Sequence, residues 1–352
     1  LHGMGQELYS LITPKDKMAI KCRIYAPVGS HEDLLPYLVR RLLENGANSS
    51  FVNRIVDDKS PISELVEAPY NKAKQLISKI NQKIPLPKDI FDSNRINSTG
   101  FDSSDYLELM NLSSKLKKYE NHQWQAQPLI SGYKKSLNYF DVYSPAQQSR
   151  KIGEIAFAKA EDLNDTIVNA QQAHIKWRAT QVSERAKCLL KMAELLEENR
   201  DEALALLMLE AGKTLNDAVA EIREAVDFCR YYAEQGLKLL NAPISLQGYT
   251  GETNLLSYHG RGVMLCISPW NFPLAIFLGQ ITANIVVGNS AIAKPAEQTS
   301  MIAFFAVKLL HCAGVPKGVV QLVPGEGAVI GAKLTNDPRI NGVLFTGSTK
   351  TA

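Results

Sequence analysis

A turn bounded by two prolines holds an asparagine that could take part in acyl chemistry. The turn reads Pro269-Trp270-Asn271-Phe272-Pro273 and follows a short apolar run. The side-chain amide of Asn271 could donate a hydrogen bond to an oxygen that gains negative charge during a reaction. Asparagine is also common in turns for structural reasons, and this alternative stays open.

A lysine and a glutamate lie three residues apart in Lys294-Pro295-Ala296-Glu297, directly after another apolar run. At the end of a buried strand, such a pair could hydrogen-bond the two hydroxyls of a ribose. The alternative is an ordinary surface ion pair, because exposed Lys/Glu pairs are frequent and contribute little.

Two glycine-containing segments have the composition of phosphate-binding turns. Residues 325–331 read Gly-Glu-Gly-Ala-Val-Ile-Gly, one residue longer than the usual dinucleotide fingerprint. Residues 345–349 read Phe-Thr-Gly-Ser-Thr. Glycine lets a ligand approach the backbone closely, and free N–H groups at the start of a helix suit a pyrophosphate.

Near the beginning of the chain, Tyr37, Arg40, Arg41 and Glu44 have spacings that place them on one side of a helix. Two adjacent guanidinium groups beside a tyrosine could clamp a small carboxylate. A solvated charged face is the alternative, and spacing alone does not decide between the two.

The elements that position the later residues follow from the hydrophobic pattern. After Gly260, β-prone apolar runs alternate with helical patterns, which predicts an α/β fold with a parallel, doubly wound sheet. Ligands bind such sheets at the carboxyl ends of the strands. The predicted strands cover residues 263–268, 290–294, 319–323 and 342–345. The predicted helices cover residues 161–176, 183–210, 215–240, 274–287, 299–313 and 328–334.

The first 145 residues have a different character. Residues 20–28 and 51–56 are predicted as strands on either side of a helix that Ser30 caps, with Asp33 three residues further on. Residues 58–145 are rich in proline and polar residues, which predicts a connector with surface helices near 63–79 and 104–119. We therefore divide the chain into residues 1–57, 58–145 and 146–352.

Composition narrows the function classes. The formal net charge of the 352 residues is +3, from 39 basic and 36 acidic side chains, which gives no reason to expect a nucleic-acid partner. The five cysteines have no CxxC spacing and the six histidines no HExxH spacing, so we expect no metal site and reduced thiols. The apolar stretch over residues 272–287 contains polar residues and is short, which predicts a buried helix instead of a membrane span.

The first segment resembles the proline dehydrogenase domain of the bifunctional proline-utilization (PutA) family. The similarity lies in Arg-Ile-Tyr-Ala-Pro-Val-Gly at residues 23–29 and in Tyr-Leu-Val-Arg-Arg-Leu-Leu-Glu-Asn-Gly-Ala at residues 37–47. It implies the C-terminal end of a (β/α)8 barrel, FAD as cofactor and proline as substrate. Residues 94–100, Asn-Arg-Ile-Asn-Ser-Thr-Gly, also resemble this family. The substrate-site residues implied by the resemblance are Tyr25, Tyr37, Arg40, Arg41 and Glu44.

From about residue 161 onward the chain resembles the NAD(P)-dependent aldehyde dehydrogenase superfamily, including Glu-Ala-Gly-Lys-Thr at residues 210–214. The resemblance implies the N-terminal half of that fold, with Asn271 as oxyanion donor. A glutamate at the ribose disfavours a 2′-phosphate by like charge, so we expect NAD and not NADP. The implied cofactor-binding residues are Ile267, Pro269, Trp270, Lys294, Glu297, Gly327, Gly347 and Ser348.

In that family the nucleophilic cysteine and the general-base glutamate follow the Phe-Thr-Gly-Ser turn, and none of the five cysteines here lies there. The chain begins at Leu1 and ends at Ala352 inside a predicted helix, so we expect a piece of a longer parent that is inactive by itself. The resemblance implies a cytoplasmic, homo-oligomeric parent that oxidises L-proline to L-glutamate with FAD and then NAD. Reduction of a quinone would add peripheral association with a membrane. The alternatives are a non-catalytic dinucleotide-binding or scaffold fragment, and a stand-alone aldehyde dehydrogenase with an unrelated extension.

Overall fold

The computed structural model describes residues 6–23, 26–46, 59, 61–75, 84–91, 95–133 and 136–352. Two compact units follow from the contacts of the chain, residues 1–84 and residues 85–352. The predicted limits at residues 57 and 145 differ from this division.

Within the described residues of the first unit, the helices are α1 (Gln6–Ile12), α2 (His31–Gly46), α3 (Ile62–Val66) and α4 (Pro69–Gln75). Helix α2 begins as predicted, because the Ser30 hydroxyl accepts from the Asp33 N–H at 3.3 Å and donates to the Asp33 carboxylate at 2.8 Å. Several apolar side chains of α2 remain exposed, including Leu35 at 59% and Leu43 at 71%.

The prediction of a strand over residues 20–28 is wrong for the part that the structure describes. Residues 20–23 and 26–28 have no strand hydrogen bonds. A strand forms only where a second strand accepts its backbone hydrogen bonds. The predicted partner at residues 51–56 lies outside the described residues, as does Tyr25.

The second unit contains the parallel sheet. The strands described in this unit are β1 (Trp124–Ala126), β2 (Tyr139–Ser144), β3 (Gln147–Ala156), β4 (Ile244–Leu246), β5 (Asn254–Leu256), β6 (Val263–Ile267), β7 (Ser290–Lys294), β8 (Val320–Leu322) and β9 (Gly342–Phe345). Strands β6 to β9 form one all-parallel sheet in the order β8-β7-β6-β9. The bounds of β7 and β9 are those predicted, β6 ends one residue earlier than predicted, and β8 is shorter by one residue at each end.

Helices surround this sheet. They are α5 (Tyr106–Leu116), α6 (Leu163–Ala179), α7 (Val182–Glu198), α8 (Arg200–Leu209), α9 (Leu215–Leu240), α10 (Ala275–Val286), α11 (Ser300–Cys312) and α12 (Ala332–Thr335). One long helix was predicted over residues 183–210, but this helix is interrupted at Asn199, between α7 and α8. That residue has a non-helical ψ of 21°, and its side-chain amide donates to the Leu195 carbonyl at 2.8 Å.

Helix α10 confirms the prediction of a buried helix. Phe277, Leu278, Ile281 and Ile285 have no exposed surface and pack in the main core cluster. No helix of the described residues is both long enough and apolar enough to cross a membrane.

A three-stranded sheet includes residues that we predicted as connector. Its order is β1-β3-β2, with β1 parallel and β2 antiparallel to β3. The short β1 pairs with β3 where Trp124 lies opposite Gly153. A Cβ added at Gly153 would lie 2.1 Å from the Trp124 carbonyl oxygen, so the two strands approach this closely because residue 153 is glycine. None of the three strands was predicted, and β1 forms only through its pairing with β3, which lies more than twenty residues later in the chain.

Candidate functional site

The carboxyl ends of three neighbouring strands bring predicted site residues to one edge of the parallel sheet. Ile267 at the end of β6 is in register with Lys294 of β7 on one side and with Phe345 of β9 on the other. The Ser268 N–H donates to the Lys294 carbonyl at 3.3 Å, and the Thr346 N–H donates to the Ile267 carbonyl at 3.1 Å. The Asn271 turn, the Lys294 segment and the Gly347 turn therefore leave the sheet side by side.

Lys294 is buried at this edge and aims at Glu297. Its ammonium group donates to the Glu297 carboxylate at 3.1 Å and to the Pro295 carbonyl at 3.0 Å. The Lys294 side chain is 5% exposed, whereas that of Glu297 is 39% exposed. The pair is therefore half-open, with a fixed cation and an accessible carboxylate that a hydroxylated ligand could share.

Glycine-rich residues adjoin this pair. Residues Gly327–Gly331 form one turn of π-helix before α12, where an ordinary helix was predicted. A Cβ on Gly327 would lie 3.9 Å from the Lys294 ammonium nitrogen, so the glycine leaves space beside that cation. Gly347 and Ser348 follow β9, and the Ser348 hydroxyl lies 2.9 Å from that of Thr351.

Two buried glutamates, Glu221 and Glu210, hold the helix starts near the site, and no role was predicted for either of them. Glu221 of α9 accepts from the N–H groups of Leu274 and Ala275, at 2.8 and 3.2 Å, where α10 begins. Its other oxygen lies 2.7 Å from the Lys213 ammonium group, which is 4.4 Å from the centroid of the Phe272 ring. These contacts fix the end of the Asn271 turn, while Asn271 itself is exposed.

Glu210 performs the same task for α11. Its two carboxylate oxygens accept from the Met301 and Ile302 N–H groups at 2.7 and 2.9 Å. Burial raises the pKa of Glu210 to about 8, against the opposing effect of these two hydrogen bonds. The Glu-Ala-Gly-Lys-Thr segment, recognised only by resemblance, thus contains Glu210, which caps α11. It also contains Lys213, which pairs with Glu221, the cap of α10.

The thiols nearest the sheet are poor nucleophiles. Cys266 lies in β6 and Cys229 in α9, and burial raises the pKa of each to about 12. A thiol with such a pKa is protonated at neutral pH and does not attack a carbonyl.

In the first unit, α2 carries Tyr37, Arg40 and Arg41 on one helical stretch. The Arg41 guanidinium carbon lies 5.5 Å from the centroid of the Tyr37 ring, which places the cation against the aromatic face. Arg40 is exposed. Glu44 belongs to α2, but its side chain lies outside the described residues, as does the whole of Tyr25.

Two family models match the chain. The aldehyde dehydrogenase family matches residues 133–352, and proline dehydrogenase matches residues 1–54. The bifunctional protein PutA of Salmonella typhimurium is 46% identical over 361 residues, covering 100% of this chain and 26% of the relative. The chain therefore spans about a quarter of the length of that curated relative.

Two solved structures are also similar. Proline utilization A (PutA) from Bradyrhizobium japonicum has a TM-score of 0.74 at 44% identity, covering 99% of this chain and 32% of that chain. A 1-pyrroline-5-carboxylate dehydrogenase from Thermus with bound NAD has a TM-score of 0.68 at 31% identity, covering 72% of this chain and 50% of that chain.

Proposed function

Since the chain belongs to the aldehyde dehydrogenase family, we propose that it forms part of a bifunctional enzyme that oxidises L-proline to L-glutamate. The first site converts proline to pyrroline-5-carboxylate, which water opens to glutamate semialdehyde. The second site oxidises this aldehyde to glutamate. Bound FAD would supply the electron acceptor for the first oxidation, and bound NAD would supply the hydride acceptor for the second.

The observation that carries the proposal is the meeting of Ile267, Lys294 and Phe345 in register at the carboxyl edge of the parallel sheet. The half-open Lys294–Glu297 pair suits the hydroxyls of a ribose, and Gly327 leaves room beside it. The 1-pyrroline-5-carboxylate dehydrogenase from Thermus has bound NAD, which supports NAD as the ligand of this edge.

The chain's own residues then have separate tasks. Asn271 donates its amide N–H to the substrate oxygen as charge develops there. Ile267, Pro269 and Trp270 line the cleft, while Gly347 and Ser348 offer backbone N–H groups to a pyrophosphate. In the first unit, Arg40 and Arg41 bind the proline carboxylate and Tyr37 packs against the ring, with Tyr25 and Glu44 completing that site.

We further propose a homo-oligomeric, cytoplasmic protein, with peripheral membrane association where its flavin reduces a quinone. Exposed apolar side chains on the β4–β5 hairpin support self-association, among them Leu246 at 48% and Leu255 at 59%. All five cysteines are free, which suits a reducing compartment.

Paired variants of the intact protein test the function. Arg41→Met should raise the KM for proline steeply, since a hydrogen bond to a charged group contributes about 1.5–3 kcal/mol, and should leave pyrroline-5-carboxylate oxidation unchanged. Asn271→Ala should lower NADH formation from pyrroline-5-carboxylate by about 10²–10³-fold and leave proline-dependent flavin reduction intact.

The controls are Arg261→Met and Asn241→Ala, two exposed positions outside both predicted sites, and both should retain the two activities. NAD binding by the wild type without turnover of either substrate would contradict the enzyme and favour a dinucleotide-binding module. Loss of both activities in either test variant would indicate a role in folding.

A further inference from the structure

The order of the strands marks one position in the parallel sheet as distinct. From β6 the chain adds β7 and β8 on one side, and it then returns to add β9 on the other side of β6. In open α/β sheets the loops on either side of such a reversal diverge and leave a crevice for ligands. Here the reversal lies between the carboxyl ends of β6 and β9.

A side-chain amide joins the two strands at that position. The Gln280 Nε2 group of α10 donates to the Ile267 carbonyl at 3.1 Å and reaches the Thr346 hydroxyl at 3.1 Å. The Ile267 carbonyl also accepts from the Thr346 N–H at 3.1 Å. Because a carbonyl oxygen only accepts, the amide atom facing Ile267 must be the nitrogen, and the orientation of the amide is settled.

Both N–H bonds of this amide are therefore used between β6 and β9. Its oxygen is buried and has no hydrogen-bond partner among the described residues. Gln280 consequently holds the starts of two loops together, the one that carries Asn271 and the one that carries Gly347 and Ser348. The described residues show a second side-chain hydrogen bond between these strands, from the Val263 N–H to the Asn341 side-chain oxygen at 2.8 Å, but it lies at their amino ends, away from the crevice.

We propose that Gln280 is a positioning residue for dinucleotide binding, which sets the distance between the Asn271 turn and the Gly347 turn. The inference rests on the proposed function, because it assigns the crevice between those turns to NAD. A small displacement of a binding turn has a large effect on a ligand that must contact both turns at once.

Two variants of the intact protein isolate the two N–H donors. Gln280→Glu keeps the shape and removes both donors, but adds a negative charge. Gln280→Met removes the donors without adding charge, and it also removes the unpartnered buried oxygen. The loss of the donors is common to both variants, so an effect that both show belongs to the donors.

Asn284→Leu is the matched control. Asn284 is a buried amide in the same helix, and it donates to the Ser290 carbonyl at 3.2 Å, at the amino end of β7. The Asn284→Leu variant therefore shows how much stability is lost when a buried amide of α10 is removed at the opposite edge of the sheet. Thermal unfolding of each variant measures that cost separately from binding.

The readouts are the equilibrium dissociation constant for NAD, and the KM for NAD and for pyrroline-5-carboxylate. We expect both Gln280 variants to weaken NAD binding about tenfold and raise the KM for NAD in parallel, with the KM for pyrroline-5-carboxylate within about twofold of wild type. Asn284→Leu should lower the unfolding temperature and leave the NAD constants unchanged.

Wild-type NAD affinity in Gln280→Glu or Gln280→Met would overturn the inference and leave the proposed function standing. An equal loss of NAD affinity in Asn284→Leu would also overturn it, since the effect would then come from general loosening of α10. Failure of the wild type to bind NAD would overturn the proposed function and the inference together.

Discussion

At the scale of single residues, the Lys294–Glu297 pair shows how burial distinguishes a candidate binding group from a common sequence pattern. A lysine and a glutamate three residues apart are unremarkable on a surface. Here the lysine is 5% exposed and in register with Ile267, so its charge is fixed at the edge of the sheet. The carboxylate beside it is open to solvent and is the group that a ribose would meet first.

Glu297→Gln should therefore change the choice of cofactor. The Glu297 carboxylate repels a 2′-phosphate because both groups are negatively charged. Replacing the carboxylate with an amide removes this repulsion and leaves the positive charge of Lys294 in place. We expect the ratio of kcat/KM for NAD to that for NADP to fall about tenfold, since a charged hydrogen bond contributes about 1.5–3 kcal/mol.

Steady-state kinetics with both cofactors in the intact protein measures this ratio. Glu326→Gln is a suitable control, because Glu326 is an exposed glutamate that precedes the same glycine-rich turn. An unchanged ratio in Glu297→Gln would remove Glu297 from the ribose site.

At the scale of elements, the helix starts depend on buried acids that come from other helices. The first N–H groups of a helix have no partner within it and need an acceptor. Neither α10 nor α11 has a side-chain cap from its own N-cap residue. Glu221 and Glu210 provide the missing acceptors from the helical layer, and so connect that layer to the sheet that carries the site.

Glu210→Gln should destabilise the protein, because an amide presents one acceptor where the structure needs two. The amide N–H₂ would face a backbone N–H, at a cost of about 1–3 kcal/mol. Urea unfolding followed by tryptophan fluorescence measures the difference between variant and wild type.

The difference should also depend on pH. Burial raises the pKa of Glu210 from 4.5 to about 8, so between these values the folded protein holds a proton that the unfolded chain has lost. The stability contributed by Glu210 is therefore complete below pH 4.5 and is lost as the pH rises through 8. Glutamine does not titrate, so the advantage of wild type should shrink between pH 6 and pH 8 by roughly 2 kcal/mol, since one bound proton corresponds to about 1.4 kcal/mol for each pH unit. An advantage that grows over this range would contradict the assignment.

At the scale of the whole chain, the segment over residues 95–99 is attached to the aldehyde dehydrogenase fold. Ser98 donates its N–H and its hydroxyl to the Asp227 carboxylate at 3.0 and 2.8 Å. The Thr99 N–H donates to Glu197 at 2.9 Å, and Arg230 bridges the same glutamate and the Asn97 carbonyl. This segment was noticed only by resemblance, and the structure shows that it docks on α9 and α7.

Release of this segment should expose it to protease. Asp227→Ala removes the acceptor of both Ser98 hydrogen bonds, each worth about 1.5–3 kcal/mol. We expect trypsin to cleave the variant after Arg95 about tenfold faster than it cleaves the wild type. Mass spectrometry of a digestion time course measures the rate.

Glu224→Ala, at an exposed acid of the same helix, should leave cleavage at the wild-type rate. Equal protection of Arg95 in Asp227→Ala would show that the hydrogen bonds to Ser98 do not hold the segment.

The sequence by itself determined the parts of this protein that depend on local patterns. The four parallel strands, the buried α10 and the Ser30 cap follow from the spacing of apolar residues and from nearby capping groups. The residues at the ends of β6, β7 and β9 could also be predicted to share one edge, because parallel strands end on the same side. Their roles as ligand-binding groups stay predictions.

Only the tertiary structure decided the features whose partners are far apart in the chain. These features are the pairing of β1 with β3, the caps from Glu210 and Glu221, the hydrogen bonds of Gln280 and the Ser98–Asp227 contact. Each of them joins residues that are separated by more than ten positions in the chain. No local propensity encodes such a contact, since it costs loop-closure entropy and forms only when the whole core is in place. For the same physical reason a strand predicted at residues 20–28 has no strand structure in its described part.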